Sequence, residues 1–83
     1  MNLLIRSQSG KGLINVECVD GIGLNDIFDD FRLIVSSKGE NYLIGQYSTL
    51  EKATKVLDMI EEAYLDEAFC YTFHMPADDE VEV

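Results

Sequence analysis

The chain predicts an α+β domain in the order β-β-β-β-α-β, with a single antiparallel sheet of about five strands and one helix packed on one face. Three observations predict it. From Ser48 to about residue 66 the apolar residues recur at spacings of three and four, the stripe of an amphipathic helix. On either side of that stretch, short runs alternate apolar with polar residues and are bounded by glycine, serine and asparagine, which is how half-buried strands read. The 83 residues, 47% of them hydrophobic, are enough for one core and leave no room for a second.

In order, Leu3-Leu4-Ile5 is a first short strand and Ser9-Gly10-Lys11-Gly12 a turn. From Leu13 to Val19, Ile14, Val16 and Cys18 alternate with Asn15 and Glu17, so the second strand closes a hairpin. Asp20-Gly21-Ile22-Gly23 breaks the pattern, and residues 24–30 carry no clean period; they read as a loop with a brief extended piece at Ile27-Phe28. Phe31 to Val35 is the third strand, with Phe31, Leu33 and Val35 on one side. Residues 37–41 turn the chain, and Tyr42 to Tyr47 is the fourth strand.

Ser48 stands at the N-cap position with Glu51 three residues later, a capping box. Leu50, Ala53, Val56, Leu57, Ile60, Ala63 and Tyr64 then form the buried stripe. Phe69, Tyr71, Phe73 and Met75 alternate along a last strand that Pro76 ends, since proline cannot donate to a ladder. Residues 1–76 therefore form the domain, and residues 77–83 an acidic tail expected to fray.

Reversing direction at each turn brings the last strand antiparallel to the first and gives the spatial order 4-3-2-1-5. One helix is about 10 Å wide and strands lie about 4.8 Å apart, so a single helix does not cover five of them. Leu4, Leu13, Ile34 and Leu43, or Tyr42 in its place, would fall on the uncovered face, an apolar strip that either suits a partner or a homodimer or is covered by the sheet's own twist.

Charge narrows the function. The net charge is −10, and from Val56 to Val83 there are nine acids and no lysine or arginine. Such a surface is repelled by phosphate backbones and anionic lipid and attracted to basic proteins, which excludes direct nucleic-acid binding and membrane association. The start, Met1-Asn2-Leu3-Leu4-Ile5-Arg6, is too short an apolar run for an export signal or a membrane span, so the expected location is the cytoplasm. In that reducing compartment Cys18 and Cys70 read as buried thiols and not as a disulfide.

No constellation supports catalysis, a metal or a cofactor. His74 and Cys70 are four residues apart, about 13 Å along a strand, too far to share a metal or a proton. Gly21-Ile22-Gly23 lacks the third glycine and the following helix of a dinucleotide loop. The Asp20 to Asp30 segment has the wrong spacing for a calcium loop, and Asp26, Asp29 and Asp30 read as solvated. Adjacent acids such as Glu61-Glu62 and Asp66-Glu67 gather where the helix dipole disfavours them, so they serve either a partner or solubility, of which a partner is the favoured reading. Asp58, Glu61, Glu62, Asp66 and Glu67, with Asp78, Asp79 and Glu80 of the tail, would form a negative ridge presenting a phosphate-like row of charge to a partner's basic surface.

Ile5-Arg6-Ser7-Gln8, the run from Leu43 through Ala53 into Val56-Leu57-Asp58-Met59-Ile60, and Phe73-His74-Met75-Pro76 before an acidic tail resemble small uncharacterised proteins of phages and mobile elements in Gram-positive bacteria. The resemblance covers most of the chain outside residues 20–30 and brings no catalytic residues with it. What it implies is a setting: small acidic proteins of this kind are often inhibitors of host defence, anti-CRISPR proteins and DNA mimics among them. The expected function is thus a non-enzymatic protein-binding module that blocks a basic, nucleic-acid-binding surface, for instance on a host nuclease. The alternative is a structural or regulatory homodimer.

Overall fold

Among the described residues, six strands in two sheets, and not five strands in one, accompany the helix. The structure is a computed structural model that describes residues 3–28, 30–66 and 72–82. Strands β1 (Leu4–Arg6), β2 (Leu13–Asn15), β3 (Gly21–Ile27), β4 (Asp30–Ser37) and β5 (Glu40–Tyr47) precede helix α1 (Leu50–Leu65), and β6 (Thr72–His74) follows it. One sheet has the order β2-β1-β6 and the other the order β3-β4-β5.

The expected order 4-3-2-1-5 fails at residues 20–30. Gly21–Ile27 is a strand in full antiparallel register with β4, its Ile22 opposite Val35 and its Leu24 opposite Leu33. Period two is present in Ile22 and Leu24 against Gly23 and Asn25, but glycine and aspartate disfavour strands in isolation, and pairing with β4 overrides that preference. The added strand adds one reversal of direction, so β6 arrives parallel to β1, with Leu4 opposite Thr72 and Arg6 opposite His74. A helix about 10 Å wide covers a three-stranded meander. The remaining strands form a second sheet, which supplies the apolar surface the helix could not.

The chain leaves β2 earlier than expected. Val16–Cys18 is a 3-10 turn whose first free amide, Glu17 N–H, donates to Asn15 Oδ1 at 3.0 Å. Cys18 is exposed there and not buried. The β4–β5 reversal is as expected: Lys38 and Gly39 have φ of 53° and 82°, the left-handed pair of a two-residue hairpin. Between Leu33–Gly45 and Ile34–Leu43 the register slips by one residue. The bulge buries Ile44 and Gly45 side by side and leaves Leu43 facing out with Ile34.

A single core results. Leu33, Val35, Ile44 and Tyr47 from the meander, Ala53, Val56 and Ile60 from α1, and Ile5 from the second sheet are buried together, with Ile14 and Phe73 packed against them. Leu50 and Tyr64, assigned by periodicity to the buried stripe, lie at its two ends and are exposed. The expected tail is also in the core: Val81 is buried with this cluster, and Asp78–Glu80 is a 3-10 turn.

Candidate functional site

The helix begins one residue later than its capping signal suggests. Thr49 is the N-cap, its Oγ1 accepting from Lys52 N–H at 3.1 Å, so the residue three positions on is a lysine and the expected Ser48–Glu51 box does not form. Turning at 3.6 residues, α1 buries Ala53, Val56, Ile60 and Ala63 and directs Glu51, Asp58 and Glu62 outward, with Glu61 beside them. These four carboxylates are exposed. No base occupies the last turn, which Asp66 closes as C-cap, its N–H donating to Glu62 O at 3.1 Å. Glu67 lies outside the described residues.

Glu61 also stands on the rim of a groove of about 380 Å³ between α1 and the start of β3. Val16, Val19, Ile22, Leu57 and Ile60 line its apolar part, and Asp20 and Tyr64 share the rim with Glu61. A long side chain with an apolar stem and a cationic head suits such a groove.

Ser48, displaced from the cap, holds the carboxyl-terminal segment. Its N–H and hydroxyl both donate to Asp78 Oδ1, at 2.8 and 3.1 Å. Lys52 Nζ donates to Asp78 O at 2.9 Å and pairs with Oδ2 at 3.5 Å. The Ser48 amide, then its hydroxyl and Lys52, hold the Asp78 carboxyl below the usual aspartate range. Glu80 Oε1 accepts from Ala77 N–H at 2.8 Å, which closes the turn. Next to this clasp, buried Tyr47 donates to Pro76 O at 2.8 Å, and desolvation, with the charges of Asp78 and Glu80 behind it, pushes its phenol up to about 12.

The seven described acids of the eight expected in one ridge are therefore divided. Asp58, Glu61, Glu62 and Asp66 lie along the second half of α1, whereas Asp78 is held beside its first turn, with Asp79 and Glu80 in the same 3-10 turn and Glu80 in a groove with Lys55 and Met59. At about 1.5 Å per residue, Lys52 and Glu62 are about 15 Å apart along the axis. Asp78 is engaged by Lys52, and Lys55 lies between the two groups on the helix.

The strip expected from Leu4, Leu13, Ile34 and Leu43 does not form one face. Leu4 and Leu13 belong to one sheet, Ile34 and Leu43 to the other. Leu13 and Leu43 are exposed and meet across a cleft of about 570 Å³, while Leu4 and Ile34 are half-buried and do not line it. Periodicity located each residue's face but carried no signal for the cleft, which exists only because two sheets meet. Phe28, expected with Ile27 in a brief extended piece, instead has a φ of 51° and stands 95% exposed where β3 turns into β4.

Of the acids at that turn, Asp30 pairs with Arg32 at 3.2 Å. Asp29 and Cys70 lie outside the described residues. Among the described residues no group of three or more His, Cys, Asp or Glu side chains is placed to hold a metal ion, and no helix is long and apolar enough to cross a membrane. Comparison with protein-family models, with curated proteins and with solved structures finds no match for this chain.

Proposed function

We propose that the chain is a non-enzymatic binding module in which the outer face of α1 engages a basic, nucleic-acid-binding surface of another protein. The observation that carries the reading is the exposure of Asp58, Glu61 and Glu62 on successive turns of a helix with no base in its last turn. Like charges there oppose the helix dipole and repel one another, so they cost folding free energy and are explained by what they attract. The groove beside Glu61 adds a place where an arginine or lysine of the partner rests its stem on Leu57 and Ile60 with Tyr64 beside the charge. The setting implied by the phage resemblance makes an RNA-guided nuclease a fitting target, because its nucleic-acid channel is positively charged.

The test is capture of partners from a bacterial lysate on the immobilised chain at low and high salt, beside a variant carrying Asp58→Asn, Glu61→Gln and Glu62→Gln. A partner held by this face is lost at high salt and lost to the variant. A partner retained by the variant at low salt removes the reading. The homodimer draws less support, since its four residues are divided between two sheets; sedimentation of a dimer that Leu13→Asp dissociates would restore it.

A further inference from the structure

The cleft between the two sheets differs in chemistry from the rest of the molecule. In a chain of net charge −10, no carboxylate among the described residues lines it. Leu13, Ile14, Val35 and Leu43 give it apolar walls, Ser9 and Ser37 contribute hydroxyls, and Lys11 is its one charge among the described residues. Leu13, Leu43 and Tyr42, which also lines it, are 54%, 51% and 49% exposed. Exposed apolar side chains gathered in one concave place mark a binding surface more than scattered ones do.

Its two walls are strand edges. Among the described residues β2 pairs only with β1 and β5 only with β4. Ser7 N–H donates to Gly12 O and Val16 N–H to Leu3 O, so the alternation of an antiparallel ladder turns the main-chain groups of Leu13 and Asn15 away from β1. On the other wall, Ser37 and Glu40 flank the two-residue turn as a bonded pair, which turns the main-chain groups of Leu43 away from β4. Gln8 joins the β1–β2 hairpin to the β5 edge: its N–H donates to Ile44 O at 2.8 Å, its Nε2 donates to Gln46 O at 3.1 Å, and its Oε1 accepts from Gln46 N–H at 2.9 Å. Ser37 Oγ donates to Cys18 O at 3.3 Å across the other end. Between these bonds, the main-chain groups of Leu13 and Asn15 on β2 and of Leu43 on β5 lie on edges that pair with no further strand among the described residues, a feature that strand-rich proteins ordinarily blunt.

We infer that this cleft binds an extended segment of a partner protein, which adds a strand to the β2 or β5 edge. Main-chain hydrogen bonds to Leu13, Asn15 or Leu43 hold the segment. Alternate apolar side chains of the segment pack on Leu13, Ile14 and Leu43, and an acidic residue of the segment meets Lys11. A second copy of this chain is a poor occupant, because two molecules of charge −10 repel. The site is separate from the carboxylates of α1 and takes a partner of opposite character.

A displayed library of random short peptides, selected against the full chain at physiological salt, tests this. Enriched peptides alternate apolar residues and carry an acid near one end. They lose about tenfold or more in affinity for Leu13→Asp or Leu43→Asp, whose wild-type side chains are exposed enough for the fold to survive. Binding slows hydrogen exchange at the Leu13, Asn15 or Leu43 amides, and N-methylating alternate peptide amides abolishes it. The variant with Asp58, Glu61 and Glu62 neutralised binds these peptides as the wild type does, so failure of the helix-face proposal leaves this one standing. Absence of enriched peptides, equal binding by Leu43→Asp, or full binding of the N-methylated peptide overturns it; the last points to a small apolar ligand.

Discussion

Asp78 Oδ1 accepts both the amide and the hydroxyl of Ser48, thirty residues away in sequence, and so ties the carboxyl-terminal segment to the start of α1. The contact converts the most acidic part of the chain from a free tail into part of the fold. It also takes Asp78 out of the charge available to a partner.

Acid should loosen this clasp. The Asp78 carboxyl is lowered below its ordinary value of 3.8, with the Ser48 amide as the first cause. A lowered carboxylate contributes stability that is present above its unfolded pKa and lost as pH falls through its folded one. Thermal unfolding followed from neutral pH down to strongly acidic solution should show the wild type losing more stability than Asp78→Asn. Parallel curves for the two proteins would show that Asp78 contributes no such linkage.

Alkali should act on the neighbouring Tyr47. Its phenol is raised from 10.0 to about 12, so the folded state holds the proton that the unfolded state releases first. Stability is then intact below pH 10 and declines as pH rises toward about 12. Tyr47→Phe should be slightly less stable at neutral pH, by about 0.5–1.5 kcal/mol for the bond to Pro76 O, and should fall less steeply above pH 10. Denaturant melts of both proteins across that range measure the difference.

Gly45 should not tolerate a side chain. A Cβ built there lies 2.9 Å from Met75 Cε, the far end of a flexible side chain, and 3.1 Å from Tyr47 Cε2 in a buried bulge, so both neighbours must give way. Gly45→Ala should destabilise by about 1–3 kcal/mol, the usual cost of overpacking. Pairing it with Met75→Ala, which vacates the nearer atom, should give a double variant less unstable than the sum of the two. Strict additivity would show that Met75 is not what the Cβ meets.

Which residue caps α1 is open to direct measurement. Thr49→Ala should cost about 1 kcal/mol and lower the melting temperature by about 4–8 °C. Glu51→Ala should change little, because Glu51 does not reach back to the cap. The reverse ranking would restore the capping box that spacing alone suggests.

The sequence by itself determined the helix, the β1–β2 and β4–β5 hairpins and the acidic bias of the last third. Each is local: a 3.6-residue stripe, a glycine placed where φ is positive, a count of charges. It missed β3, because Gly21, Gly23 and Asp26 carry weak strand preference and only the ladder with β4 makes a strand of them. That omission reversed the sense of β6 and merged two sheets into one. It also took Cys18 for a core thiol, since the 3-10 turn that exposes it replaces the expected run of strand. Tertiary structure alone decided where the charges and the apolar residues gather. Asp78 meets Ser48, and Leu13 faces Leu43, only after separate elements pack, because contacts between distant residues depend on how the sheets and helix share one core and leave no periodic trace in the chain.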